Sequence, residues 1–176
     1  KTIDWTHMNT VQVLPENKWF KADDQRFKPG NILLAARNMS TIFIIDRQTG
    51  EVVWQYSGDY KGGLSGVHEP QMIQPGLPGA GNILIFDNGR KKHVGQSFVL
   101  EIEPVNRGLV WKYDVGATFF SRIAGSQQRL PNGNTLISED DQGRVFEVTP
   151  KGEIVWEYLG HHRSSRARRY PGDYLL

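Results

Sequence analysis

The chain has 176 residues, 38% hydrophobic and 23% charged, with 19 Gly and no Cys, which fits one domain with a sizeable core and excludes disulfides and thiolate metal sites. No apolar run approaches the ~20 residues of a membrane-spanning helix. The formal charge of +2 has one local source, since without the four Arg of "HHRSSRARR" (161–169) it would be −2; a nucleic-acid surface would rest on this tail alone, and a solvated terminal segment is the simpler reading.

The sequence begins at Lys1 with no initiator Met and no basic-then-apolar leader, the pattern expected of a processed or truncated product. An extended segment, "THMNTVQVLP" (6–15), comes first, followed by a loop, "ENKWFKADDQRFK" (16–28). A strand starting at "GN", a second strand, the turn "RQTG" and a strand ending in "EVVWQYSG" (51–58) complete the first unit. Two more units repeat this order. The second runs from "HEPQMIQPG" (68–76) through "GNILIFDNG", the polar hairpin "GRKKHVGQ" and the turn "PVNRG" to "GLVWKYDVG" (108–116). The third runs from "SQQRLP" (126–131) through "GNTLI" and "TPKG" to "EIVWEYLG" (153–160). Gly, Asn and Pro stand where the chain must reverse sharply, and no stretch reads as a long amphipathic helix.

A repeated four-stranded antiparallel unit of ~40–50 residues is the mark of a β-propeller blade. The fold expected is all-β, with blades at about 5–58, 68–115 and 121–160 and a basic tail, 161–176, packing on or near the ring. Trp54, Trp111 and Trp156, with Tyr56, Tyr113 and Tyr158, belong to the outermost strands. Two residues apart, each pair shares a sheet face and fills the space between blades. Three blades cannot close a ring without exposing apolar faces and free edges. The chain is therefore expected to be half of a six-bladed propeller, completed by an N-terminal half or by a second copy.

Blade topology gathers the starts of first strands and the ends of second strands on one side of the disc, near the channel. Those positions hold Thr6, His7, Asn9 and Arg37 in the first unit. The second offers His68, Glu69, Asp87 and Asn88, and the third Ser121, Arg122, Ser126, Glu139 and Asp140. His7, His68 and Arg37 converging with few nearby carboxylates would bind an anion. The structural alternative is that each His is a hydrogen-bonded strand-start residue and that Arg37 pairs with Asp46 or Asp87. His93, His161 and His162 lie in a polar hairpin and the tail, where no functional role is expected. A cation held by His7 and His68 with Glu69 or Asp87 is a weaker option, because no HxH or HExxH spacing supports it. No GxSxG elbow and no phosphate-cradling Gly-rich loop occurs.

The stretches "DWTHMNTV", "LLAARN", "HEPQMIQPGLPGAGNILIFDNG" and "QQRLPNGNTLI", with the closing "RARRYPGDY", resemble the bacterial arylsulfate sulfotransferase family over most of the chain. The resemblance implies a six-bladed propeller of which this is the C-terminal half, and a periplasmic or secreted location. It implies sulfuryl transfer from an aryl sulfate to a phenol through a sulfohistidine, with no nucleotide cofactor; on the residues alone, no metal is expected. Matched residue by residue, the family's funnel histidine falls on His7, its asparagine on Asn9, the strand-ending arginine on Arg37 and the nucleophile on His68; Arg122 and Ser126 are the further candidate substrate contacts. Asn38 stands where the family often has His, and another funnel histidine belongs to blades not present in these 176 residues. Two other classes remain open: a non-catalytic propeller scaffold, since the fold hosts both, and a quinoprotein-like propeller, which "IIDRQTGEVVW" resembles but the second and third units do not.

Overall fold

The computed structural model describes residues 4–174; Lys1–Ile3 and Leu175–Leu176, placed above in the first unit and the tail, lie outside the described residues. Among the described residues twelve strands form three four-stranded antiparallel sheets, each a simple meander in chain order. The first blade is β1 (Met8–Val13), β2 (Ile32–Ala36), β3 (Thr41–Ile45) and β4 (Val52–Tyr56). The second is β5 (His68–Met72), β6 (Ile83–Asp87), β7 (Phe98–Glu103) and β8 (Gly108–Tyr113). The third is β9 (Ser126–Arg129), β10 (Thr135–Glu139), β11 (Arg144–Val148) and β12 (Ile154–Leu159). The first strands β1, β5 and β9 are the inner ones, and β5 touches both of the others.

The recurring Val-Trp-x-Tyr has a backbone cause. In every blade the third and fourth strands slip register just after the residue that pairs with Trp: Ile44↔Trp54, Glu101↔Trp111 and Glu147↔Trp156. The valine before each Trp is the extra residue of a β-bulge, which bends and twists the outer strand. Trp and Tyr then face the next blade. Trp54 stacks on Tyr56 at 6.1 Å, and its Nε1 donates to the Pro104 carbonyl in the β7–β8 turn at 2.9 Å. Trp111 repeats this on the Pro150 carbonyl in the β11–β12 turn, at 2.8 Å.

Two apolar clusters fill the two spaces between blades. Leu33, Ile42 and Ile44 of the first blade meet Ile83, Ile85 and Leu100 of the second, while Leu84, Phe86 and Val99 of the second meet Ile137, Phe146 and Val148 of the third. Burial at this scale contributes most of the folding free energy, at about 25 cal/mol per Å² of apolar surface. Among the described residues the third blade has no such neighbouring blade on its far side: Trp54 is 3% exposed, whereas Trp156 is 44% exposed.

Residues 16–28, expected as a loop, hold a short helix, α1 (Lys18–Lys21), capped by Asn17, whose Oδ1 accepts from the Phe20 N–H at 3.0 Å. Asn17 also donates to the Phe27 carbonyl at 2.8 Å, and Phe27 is fully buried edge-on to Trp54. Trp19 ties the insertion to the second blade through the Gly81 carbonyl at 2.7 Å. Among the described residues no helix is long and apolar enough to cross a membrane.

Candidate functional site

Register brings Thr10, His68 and Ser126 to one level: each pairs with the fourth residue of its blade's second strand, Ala35, Phe86 and Ser138. The residues just past those second strands, Arg37, Asn88 and Asp140, form the next ring of equivalent positions. The site is thus built from strand ends, which a meander returns to one side of the molecule.

His68 is 8% exposed, and its ring is fixed at one nitrogen. Nδ1 lies 2.6 Å from Asn88 Oδ1 and 3.1 Å from the Gly66 carbonyl. The Asn88 amide nitrogen donates to the carbonyls of Ser121 and Ala124 at 2.6 and 3.0 Å, which fixes its oxygen toward His68. Both neighbours of Nδ1 are therefore acceptors, so Nδ1 carries the proton of the neutral ring and Nε2 carries the lone pair. Nε2 makes no hydrogen bond among the described residues. Burial pushes the His68 pKa down against the pull of Asn88 and Gly66, and the charges of Arg37 and His7 act in the same direction as burial.

Arg37 follows β2 in a 3-10 turn, Arg37–Met39. Neither expected carboxylate holds it: Asp46 accepts the Gln48 and Thr49 N–H groups, and Asp87 accepts those of Ser65 and Gly89. Its Nε is buried with no hydrogen-bond partner among the described residues. Burial and the neighbouring Arg90 lower its pKa, yet guanidinium remains cationic in any folded protein. Arg37 is a half-buried guanidinium with no carboxylate partner among the described residues, an arrangement that attracts anions.

His7 pairs with Asp4 through Nδ1 and receives a second anchor where its backbone N–H donates to Asp4 Oδ1 at 3.0 Å. Its backbone carbonyl accepts from Arg37 N at 3.2 Å. His7 and Glu69 both adopt left-handed φ, 50° and 45°, a conformation that costs a non-Gly residue about 1–2 kcal/mol and clusters at functional sites. Asn9 bridges the first two blades, donating to the Val67 carbonyl at 3.0 Å, directly before His68.

The remaining candidates are placed differently. Arg122 is exposed, in the loop whose Ser121 and Ala124 carbonyls hold Asn88; its own N–H donates to Asp141 Oδ2 at 2.7 Å. Ser126 is buried under the tail, its Oγ accepting from the Ala167 N–H at 3.3 Å. The expectation of few carboxylates is corrected by Asp4 at His7 and by buried Glu69, which the tail residues Arg166 and Arg168 neutralise. The sequence reading passed over Asn88 as a strand-end polar residue, although it occupies in "FDN" the place that Arg37 holds in "AAR". Among the described residues no group of three or more His, Asp and Glu is placed to hold a metal ion.

Three bulged blades, the first two latched to the next by a Trp, define a β-propeller domain with His, Arg and Asn at the strand ends of one side. The sequence model of the arylsulfotransferase (ASST) family matches residues 1–161, and the chain belongs to that family. No curated protein matches it. Among solved structures it is similar to a protein of unknown function from Bacteroides caccae, at 18% identity and a TM-score of 0.55, over 86% of this chain and 45% of that one. It is also similar to a catalytically inactive virginiamycin B lyase from Staphylococcus aureus, solved with quinupristin, at 13% identity and a TM-score of 0.52, over 89% of this chain and 42% of that one. At these identities the likeness is one of fold. The chain spans less than half the length of either structure.

Proposed function

We propose that this chain carries the nucleophile of a sulfuryl-transfer enzyme, working as half of a six-bladed ring completed by polypeptide outside residues 1–176. The observation that carries the reading is the pinned tautomer of His68, whose Nε2 makes no hydrogen bond among the described residues and whose ring lies within electrostatic reach of Arg37. In the first half-reaction Nε2 attacks the sulfur of an aryl sulfate. An N–S bond forms, the S–O bond to the ring carbon's oxygen breaks, and the phenolate departs with the electron pair. The proton stays on Nδ1, donated to the Asn88 and Gly66 oxygens, which stabilise the positive charge that develops on the ring. In the second half-reaction a phenolate acceptor attacks the same sulfur, the N–S bond breaks and neutral His68 returns. Oxidation states do not change.

Arg37 supplies charge to the sulfuryl oxygens, and His7, held by Asp4, is the group assigned to exchange a proton with the phenol oxygen. A free phenolate has a conjugate-acid pKa of about 10, so a proton donor at that oxygen lowers the barrier. The test is steady-state and burst kinetics of the full-length protein with a nitrophenyl sulfate and a second phenol. Ping-pong kinetics with a phenol burst are expected, Arg37→Ala should slow the burst by on the order of 10²-fold, and His68→Ala should abolish it. A full burst with His68→Ala would overturn the assignment.

A further inference from the structure

The tail contacts repeat, on the third blade, the contacts by which the second blade meets the first. Between the first two blades, Thr10 Oγ1 accepts from the Glu69 N–H at 3.1 Å. Two residues on, the Gln12 side chain grips Met72 from both sides, accepting its N–H at 2.7 Å and donating to its carbonyl at 3.2 Å. On the third blade, Ser126 Oγ accepts from the Ala167 N–H at 3.3 Å. Gln128 grips Arg169 in the same two-sided way, accepting its N–H at 2.8 Å and donating to its carbonyl at 3.0 Å. Thr10 and Ser126 share one register position, and Gln12 and Gln128 share another, paired with Leu33 and Leu136. The tail therefore lies where a fourth inner strand would lie, running in the same sense as β5.

Its sequence continues the match. Arg129-Leu130-Pro131 follows Gln128 on β9, and Arg169-Tyr170-Pro171 stands at the equivalent level of the tail. Beyond the tail, a groove of about 280 Å³ opens between Ala167 and the outer strands of the third blade, walled by Leu136, Val145, Trp156 and Tyr158. These positions correspond to Leu33, Ile42, Trp54 and Tyr56, which are buried by the second blade. Trp54 and Trp111 each donate to a turn carbonyl of the following blade; Trp156 is the third member of that series and faces the groove.

We infer that residues 166–171 are the innermost strand of a fourth blade, and that its other three strands come from the same protein outside residues 1–176. A second copy of residues 1–176 does not fit this place, because each of its sheets already has its own inner strand in β1, β5 or β9. The occupant is a three-stranded antiparallel sheet with a free edge for Arg168 and a turn carbonyl for Trp156 Nε1. The same strand places Arg166 and Arg168 on Glu69, the residue after His68, so seating it also neutralises a buried carboxylate beside the candidate nucleophile.

The test uses the full-length protein. Hydrogen exchange followed by mass spectrometry should find residues 166–171 as protected as β5 and β9, unchanged on dilution. Trp156→Phe should lower the unfolding midpoint by as much as Trp54→Phe and Trp111→Phe, within about twofold. Loop-like exchange in 166–171, a neutral Trp156→Phe beside two destabilising neighbours, or protection that disappears on dilution, as a second copy would give, each overturns the inference. The exchange measurement needs no variant and stands even where a substitution prevents folding.

Discussion

At the scale of single residues, the proposed chemistry turns on which nitrogen of His68 holds the proton. Asn88 decides this through a relay: two carbonyls orient its amide, and its oxygen orients the imidazole. Asn88→Ala removes one donor from each carbonyl, although Ser121 still accepts from Ser97 Oγ at 3.2 Å and Ala124 from Ser121 Oγ at 2.7 Å; a lost buried hydrogen bond costs about 0.5–1.5 kcal/mol. The expected outcome is a stability loss of about 1–3 kcal/mol by denaturant titration, together with sulfuryl uptake slowed on the order of 10-fold, since the Gly66 carbonyl still favours the right tautomer. Uptake at the wild-type rate would deny Asn88 its positioning role. The pH dependence follows from burial. In the proposed mechanism the neutral ring is the reactive form, and burial holds its pKa below the ordinary imidazole value of about 6.5. As pH falls, activity is lost only through that lowered value, so single-turnover rates should stay level from pH 8 past 6.5 and decline below it. A half-maximal rate above 6.5 would contradict the assignment.

At the scale of elements, the molecule is a bulged meander made three times. Much of this was legible in the sequence, because Gly-Asn openings, tight turns and Val-Trp-x-Tyr endings recur in fixed order. The bulge itself was not legible, since valine looks the same as a regular strand residue and as the bulge residue. Nor was the capped helix of 16–28, too short to show a 3.6-residue period. The roles of Asn88 and the tail arginines were hidden for another reason: they depend on strands far apart in sequence meeting at one level. Turn geometry gives a direct check. Gly89, next to Asn88, has φ +64°, and a Cβ there would collide with the Gln96 carbonyl oxygen, which the backbone cannot easily withdraw. Gly89→Ala should cost more than the ~1 kcal/mol of a Gly-to-Ala change with room to spare, read as a lowered thermal midpoint, and should reduce sulfuryl uptake by displacing Asn88.

At the scale of the whole molecule, two faces are left to be covered. Val11 and Val13 are exposed on the inner strand of the first blade, and Trp156 and Tyr158 on the outer strand of the third. Apolar faces of this kind mark interaction surfaces. Residues 1–176 expressed alone should bind a hydrophobic dye and unfold at a lower temperature than the same residues within the full-length protein; equal midpoints and no dye binding would mean that three blades suffice. The central claim is that His68 receives the sulfuryl group, and its most direct measurement is peptide mapping. The full-length protein would be mixed with a nitrophenyl sulfate in the absence of acceptor, quenched under mildly alkaline conditions that preserve an N–S bond, digested and sequenced by mass spectrometry. The account predicts one SO₃ unit on His68, removed when a phenol is added before quenching. A sulfuryl group on His7 or any other residue, with His68 unmodified, would contradict it.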